Sequence, residues 1–396
     1  MESKNFKIES KLAKNPDKKI VGIVIVRSNP IAPDPRVEKI CMSLAKSGYR
    51  ISVVGWDRED KFEEYEVSDC AKIYRIKLPA SFGKGLGNMG HLVKWQVFLF
   101  MWLSKHRRLY DCIHACDFDT IIPALLCKCL YGKKVVYDIF DFYADMLRNV
   151  PGYLKRIIRR TDLFLIKFAN AVIIADESRK KQIEGSSPKK LVVIYNSPSD
   201  ESFTPRKPIE RNSSLIVAYV GLLQKERGII EMINVVKKHQ NWKMVIGGFG
   251  GDENLIKECG RGTLNVEFIG RVPYRRTLEV YSSSDVLFAT YDPKIPNHRF
   301  SSANKLFEAM MLGKPIIVAK NTGMDSIVEK YDLGFVVDYG NEQELESALK
   351  IIEGQDKRRR AEFASHVKEV YKRLFSWKTM ERRLLKLYAE LFEGRC

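Results

Sequence analysis

Residues 19–56 read KIVGIVIVRSNPIAPDPRVEKICMSLAKSGYRISVVGW, and this stretch decides the fold. Lys19–Val26 is a short continuous apolar run, the pattern of a strand buried on both faces of a parallel sheet. Val37, Ile40, Cys41, Leu44 and Ala45 then recur at helical spacing until Gly48 stops them. Arg50–Trp56 is a second strand, so the stretch is a βαβ unit.

The theme repeats outward. Strands are expected at Lys72–Lys77, Asp111–Ala115, Lys134–Asp138, Ala171–Ala175 and Leu191–Tyr195, with helices at Leu92–Ser104, Thr120–Leu130 and Leu154–Phe168. A Pro-, Ser- and charge-rich stretch, Asn196–Ser214, marks a linker. Alternation then restarts from the strand Leu215–Val220 and runs to the helix Glu342–Ile352, and Trp377–Phe392 is a last amphipathic helix. The fold class is α/β: two Rossmann-like doubly wound domains expected to face each other across a cleft. Their boundaries are 1–195, a linker 196–214, 215–376, and a C-terminal helix 377–396.

The 396 residues suit two domains. With 45% hydrophobic and 29% charged residues the composition is globular, which excludes wholesale disorder. Eight Cys are too dilute for a disulfide scaffold and suit a reducing, cytoplasmic setting. The net charge of +18 needs an anionic partner: a phosphorylated ligand, a membrane surface or nucleic acid. The N-terminus has no apolar h-region, and no uncharged apolar run is long enough to span a bilayer.

In doubly wound sheets, ligands bind in the loops after the strands. Gly221–Gly228 (GLLQKERG) joins a strand to a helix, and Lys225 and Arg227 add cations to a helix N-terminus there. This pattern suits a pyrophosphate, although many strand–loop–helix junctions share it. Gly247–Gly251 (GGFGG) lacks the dinucleotide fingerprint and reads as a tight turn. Asn297–Glu308 (NHRFSSANKLFE) leads Ser301 and Ser302 into a helix carrying Asn304, Lys305 and, one turn on, Glu308. Amides and Lys305 would meet an anion, and Glu308 could hold ribose hydroxyls. The bland alternative is a capped helix with a Lys–Glu pair.

The ordered motifs VAYVGLLQKERGI (217–229), FIGRVPYRRTLEVYSSSDV (268–286) and ANKLFEAMMLGKPII (303–317), with PIAPDPRVEKICMSLAKSGYRISVVGWDR (30–58), resemble the retaining glycosyltransferases of family 4. The resemblance runs from about Ile20 to Phe392. It implies the GT-B fold, a nucleotide diphosphate sugar as donor substrate, no cofactor and no metal. Glu308 matches the second glutamate of the E-x7-E motif, and Asn304 and Lys305 match its N-K pair. Arg227 occupies the basic position at the donor diphosphate, beside Gly221, Lys225 and Ser302. Arg271 and Val272 sit where backbone frames the base. Three positions depart: Phe300 stands for the first glutamate, Leu222 for the arginine after the first glycine, and Cys116 or Phe140 for the acceptor-loop histidine.

In the N-terminal half, Asn29–Arg36 (NPIAPDPR) would present Asp34 and Arg36 to the cleft, or Asp34 would cap the next helix. Ile113–Asp119 (IHACDFD) contains a D-x-D triplet, discounted as a metal signature because the surroundings are Rossmann units. Asp117 falls at the acidic position of the family's acceptor loop, next to His114, which is either catalytic or a satisfied core histidine. Cys112, Cys116, Cys127 and Cys129 do not have zinc spacing. The expected catalytic set is therefore Asp117, His114, Arg227 and Lys305.

Tyr153–Lys167 (YLKRIIRRTDLFLIK) is a basic amphipathic helix, and Leu92–Leu103 (LVKWQVFLFMWL) is either a core helix or one whose Trp95, Phe98 and Trp102 face lipid. Together they suggest a protein peripherally bound to the cytoplasmic membrane face, with a glycan or lipid-linked acceptor. A sugar-nucleotide 2-epimerase of the same fold is the alternative. Nucleic acid ranks third, because no binding motif accompanies the charge.

Overall fold

The computed structural model describes residues 20–80, 89–147, 150–199 and 215–393. It divides into two compact units, one of residues 1–194 and 381–396 and the other of 195–380. The expected linker lies mostly at 200–214, outside the described residues.

The N-terminal unit holds an eight-stranded sheet. Its strands are β1 (Gly22–Arg27), β2 (Arg50–Asp57), β3 (Tyr65–Val67), β4 (Lys72–Lys77), β5 (Cys112–Cys116), β6 (Lys134–Ile139), β7 (Ala171–Ile174) and β8 (Leu191–Val193), in the order β3-β4-β2-β1-β5-β6-β7-β8. Only β3 is antiparallel. Helices α1 (Pro35–Lys46), α2 (Met89–Lys105), α3 (Phe118–Tyr131), α4 (Tyr143–Met146), α5 (Gly152–Ile166) and α6 (Arg179–Gln182) connect the strands. Asp34 caps α1 by accepting from the Val37 amide, and Pro35 opens the helix with a φ already suited to it.

The second unit is a six-stranded parallel sheet. Its strands are β9 (Leu215–Leu222), β10 (Trp242–Phe249), β11 (Val266–Gly270), β12 (Val286–Ala289), β13 (Ile316–Ala319) and β14 (Gly334–Val337), in the order β11-β10-β9-β12-β13-β14. Its helices are α7 (Ile229–Lys237), α8 (Glu253–Gly260), α9 (Tyr274–Ser283), α10 (Asn304–Leu312), α11 (Met324–Tyr331), α12 (Glu342–Glu353) and α13 (Lys357–Val370). The final helix, α14 (Trp377–Phe392), gives its residues from Glu381 onward to the N-terminal unit. Leu215, Val217, Tyr219, Trp242, Met244 and Phe288 belong to the second unit's core. Each sheet reverses its strand order once, between β1 and β5 and between β9 and β12, and doubly wound sheets bind ligands at such points.

Four elements, β3, the one-turn helices α4 and α6, and α13, escape the sequence pattern. β3 is a short strand with every residue exposed, and α13 (KRRRAEFASHVKEV) buries only Val367 and Val370, so neither carries a hydrophobic period. The aromatic residues of α2 also correct one alternative. Trp95 does not face lipid: it is fully buried, stacks on Trp56 at 5.2 Å and donates to the Asp119 carbonyl at 3.2 Å. Trp102 stacks on His106, leaving Phe98 as the exposed member of the three.

Candidate functional site

In the second unit, β9 ends at Gly221-Leu222 and β12 is followed by Thr290 and Tyr291, which places these residues at the strand-order reversal. Lys225–Arg227 form one 3-10 turn, and Gly228 then takes φ +68 to start α7. A Cβ on Gly228 would lie 2.0 Å from Thr290 Oγ1, so glycine is required by both backbone and space. The GGFGG cluster is closely packed, as a tight turn requires: a Cβ on Gly248 would meet the Gly221 carbonyl at 1.8 Å, and one on Gly250 the Leu223 carbonyl at 2.2 Å. These glycines let the loop after β10 lie directly on the Gly221 loop.

Two cations converge here. The Arg227 guanidinium lies 4.4 Å over the Tyr291 ring and its Nε donates to Gln224. Lys305, from the first turn of α10, is 5% exposed, and its Nζ sits 3.4 Å above the Tyr219 ring. Among the described residues no oxygen accepts a hydrogen bond from Lys305 Nζ, which lies instead against the negative π face of the ring. Burial, reinforced by Arg227 and opposed by Glu308, holds the Lys305 ammonium down to about 7. A buried ammonium with no hydrogen-bonding oxygen costs stability and is a candidate for meeting an anion. A Cβ on Gly221 would stand 3.7 Å from Lys305 Nζ, so the bare backbone there leaves the ammonium accessible to a ligand.

The other expected donor residues divide. Glu308 is buried on α10 and close enough to act electrostatically on Lys305, and Ser302 is buried just before that helix. Asn304 is exposed at the helix start. The Lys225 amide is tied to Asp252 at 2.9 Å while its side chain is exposed. Arg271 pairs not with the cation cluster but with Phe249, its guanidinium 4.6 Å over that exposed ring, and Val272 is half-buried beside it. Tyr219 and Tyr291, which hold the two cations, were not singled out by sequence. Tyrosine at a strand end reads as ordinary core until the fold sets it beneath a lysine.

In the N-terminal unit the reversal falls between Arg27, the last residue of β1, and Asp117, directly after β5. These two form a short ion pair through Arg27 Nη1. Arg27 Nε also reaches Asp34 at 3.1 Å, and Asp117 Oδ1 accepts from the amides of Phe140 (2.8 Å) and Asp141 (3.3 Å). Asp117 holds φ +64, a strained backbone for a non-glycine residue. Burial pushes its carboxyl up to about 7, against the pull of Arg27. Arg27 went unnoticed in the sequence; its only signal is a charge closing an otherwise apolar strand.

His114 and Arg36 are placed differently from the reading that put them at an open site. His114 lies mid-strand with no exposed surface; its Nδ1 shares a hydrogen bond with the Tyr388 hydroxyl at 2.7 Å, and its Nε2 lies 3.2 Å from Asp138. Of its two readings, this geometry is the core histidine: both nitrogens are taken by protein. Arg36 turns inward to Asp138 (2.9 Å) and the Ile194 carbonyl (2.8 Å) instead of being presented by its loop. A buried guanidinium must find its acceptors within the protein, and Asp138 supplies them.

The two sheets, parallel except for β3, have the GT-B fold. Residues 200–368, which include most of the second unit, match the family model Glycosyl transferases group 1. An uncharacterized glycosyltransferase of Haemophilus influenzae is 20% identical over 84% of this chain and 90% of its own. Among solved structures, sucrose-phosphate synthase from Thermosynechococcus elongatus superposes with a TM-score of 0.77 at 16% identity, covering 94% of this chain and 99% of the other. The Anabaena protein HepE, solved in complex with UDP and glucose, gives 0.67 at 17% identity over 93% and 99%.

Proposed function

We propose that the protein transfers a hexosyl group from a nucleotide diphosphate sugar to a glycan or lipid-linked acceptor, with retention of configuration and without a metal. The observation carrying this reading is the cation pair of Arg227 and Lys305 at the β9/β12 reversal, with Lys305 buried over a tyrosine ring. In the reaction the bond from the sugar's anomeric carbon to the diphosphate oxygen breaks, and the electron pair stays on that oxygen. Fixed cations beside it stabilise the growing charge, as do the first amides of α10. The acceptor oxygen bonds to the anomeric carbon on the same face, and its proton passes to the departing phosphate oxygen. Glu308 would hold the ribose hydroxyls. Asp117, held by Arg27, positions the acceptor side rather than acting as a strong base.

The basic helix α5 supports an acceptor displayed at an anionic membrane, and among the described residues no helix is long and apolar enough to cross one. We place the protein peripherally at the cytoplasmic face.

The test is turnover of a panel of nucleotide sugars, read as donor hydrolysis and as transfer. Glu308→Ala and Arg227→Ala are each expected to lower both by about 10²-fold or more. Wild-type rates in both variants would sink the assignment. A second outcome follows from Lys305. The diphosphate favours the charged ammonium, so donor binding at alkaline pH takes up close to one proton. Affinity therefore falls as pH rises from about 7, where free Lys305 titrates, toward the ordinary lysine value of about 10.4. Calorimetry in two buffers of different ionisation enthalpy measures this uptake. Heats that are independent of the buffer would show that Lys305 is not at the diphosphate.

A further inference from the structure

We infer that the outer face of the helical layer α2–α3–α5 docks on an anionic phospholipid bilayer. This inference rests on the proposed membrane-displayed acceptor and names the surface that reaches it.

The topology puts these three helices on one side of the sheet. α2 leads from β4 to β5, α3 from β5 to β6 and α5 from β6 to β7, all in the same direction across the strand order. Right-handed crossovers that advance in one direction cover one face. α3 packs against α2 on one side and α5 on the other.

What this layer turns outward is unusual. On α2, Val93, Val97 and Met101 recur every four residues and are more than half exposed, with Phe98 beside them. Leu126 and Leu130 continue the apolar surface on α3, and Tyr153, Ile157 and Phe164 on α5. The stripe on α2 opens into a groove of about 540 Å³ lined by Ile76, Phe98, Phe100, Met101, Trp102 and Tyr131. A soluble monomer seldom leaves so many large apolar side chains together on one face.

The charges on the same face have a single sign. α2 contains no acidic residue. The only carboxylates of α3 and α5 are Asp119 and Asp162, 5% and 0% exposed, both turned into the unit. The exposed charges are Lys94, Lys105, Arg156 and Arg160, and among the described residues none of these has an ion-pair partner. Elsewhere on the chain exposed cations alternate with acids, as in the pairs Lys238–Glu342, Lys257–Glu253 and Arg358–Glu362. Helices that combine exposed apolar residues with unpaired cations and no exposed carboxylate are complementary to an interface of acyl chains beneath anionic headgroups. A nucleic acid would use the cations but leave Val93, Val97 and Met101 unburied.

The test is cosedimentation of the full chain with vesicles of phosphatidylcholine alone or mixed with phosphatidylglycerol. Wild type is expected to pellet with the mixed vesicles at low salt, to be released at high salt, and to stay in solution with phosphatidylcholine alone. Val97→Asp/Met101→Asp and, on a different helix, Arg156→Glu/Arg160→Glu are each expected to weaken binding about tenfold or more. Both keep wild-type circular dichroism and donor hydrolysis in solution. That last readout separates failure of docking from failure of the proposed reaction. Wild type remaining in solution with anionic vesicles at low salt would overturn the inference. So would variants that bind like wild type, or a dimer that the aspartate variant dissolves while vesicles are ignored; a dimer would make the stripe a contact between copies.

Discussion

Lys305→Met is expected to lower transfer by about 10²–10³-fold while leaving the fold as stable as the wild type or more so. The methionine keeps an unbranched apolar stem over Tyr219 and removes only the ammonium. That ammonium is buried, repelled by Arg227 and without an oxygen partner among the described residues, and its titration is drawn down to about 7. A lysine whose folded value is depressed destabilises the fold most below that value, and the cost disappears above the unfolded value of about 10.4. The gain in melting temperature of Lys305→Met is therefore largest at and below neutral pH and shrinks as the medium becomes alkaline. Thermal melts across pH, set beside kcat with a nucleotide sugar, measure both halves. A variant that lost stability together with activity would make Lys305 a structural residue.

Asp138→Ala is the second large effect, here on stability. Asp138 is fully buried and accepts from Arg36 at 2.9 and 3.2 Å and pairs with His114 at 3.2 Å. His114 in turn holds Tyr388 of α14. Burial alone would push the Asp138 carboxyl up, but Arg36 and His114 outweigh it and hold it below the ordinary aspartate range. Removing the carboxylate leaves a buried guanidinium without its counter-charge, a change of about 3–5 kcal/mol. Urea unfolding of the N-terminal unit measures the loss, and faster proteolysis at α14 marks the freed Tyr388. A depressed aspartate contributes its stability above its unfolded value, and that contribution disappears as pH falls through the folded one. Wild type thus shows an acid-side loss that the alanine variant lacks.

Much of the architecture was legible because it rests on periodicity. The runs GIVIV, RISVVGW and LIVAYV are apolar throughout, as strands covered on both faces must be, and helices with one apolar stripe alternate with them. Asp34 and Gly48 punctuate α1 as their chemistry requires. α13 and β3 stayed hidden because their residues are set by neighbours, not by a buried face of their own. The α10 segment was legible as a candidate anion site because amides at a helix start and a lysine lie within one turn of chain.

The doubly wound sheets and the candidate donor motifs are thus local features, written in spacing along the chain. What each charge does is not. His114, Asp138, Arg36 and Tyr388 are scattered from residue 36 to residue 388, and only packing makes them one buried network. The aromatic platforms under Lys305 and Arg227 come from other strands and loops, and only the sheet brings them there. Trp95 and Val97 sit two positions apart on one helix, yet one is core and the other solvent, because a 3.6-residue turn sends them to different faces. Composition told of a surplus of +18; tertiary structure decides which of those cations stand unpaired on one surface beside exposed apolar side chains. Charge is counted along the chain, but its partners and its dielectric are set by distance in three dimensions.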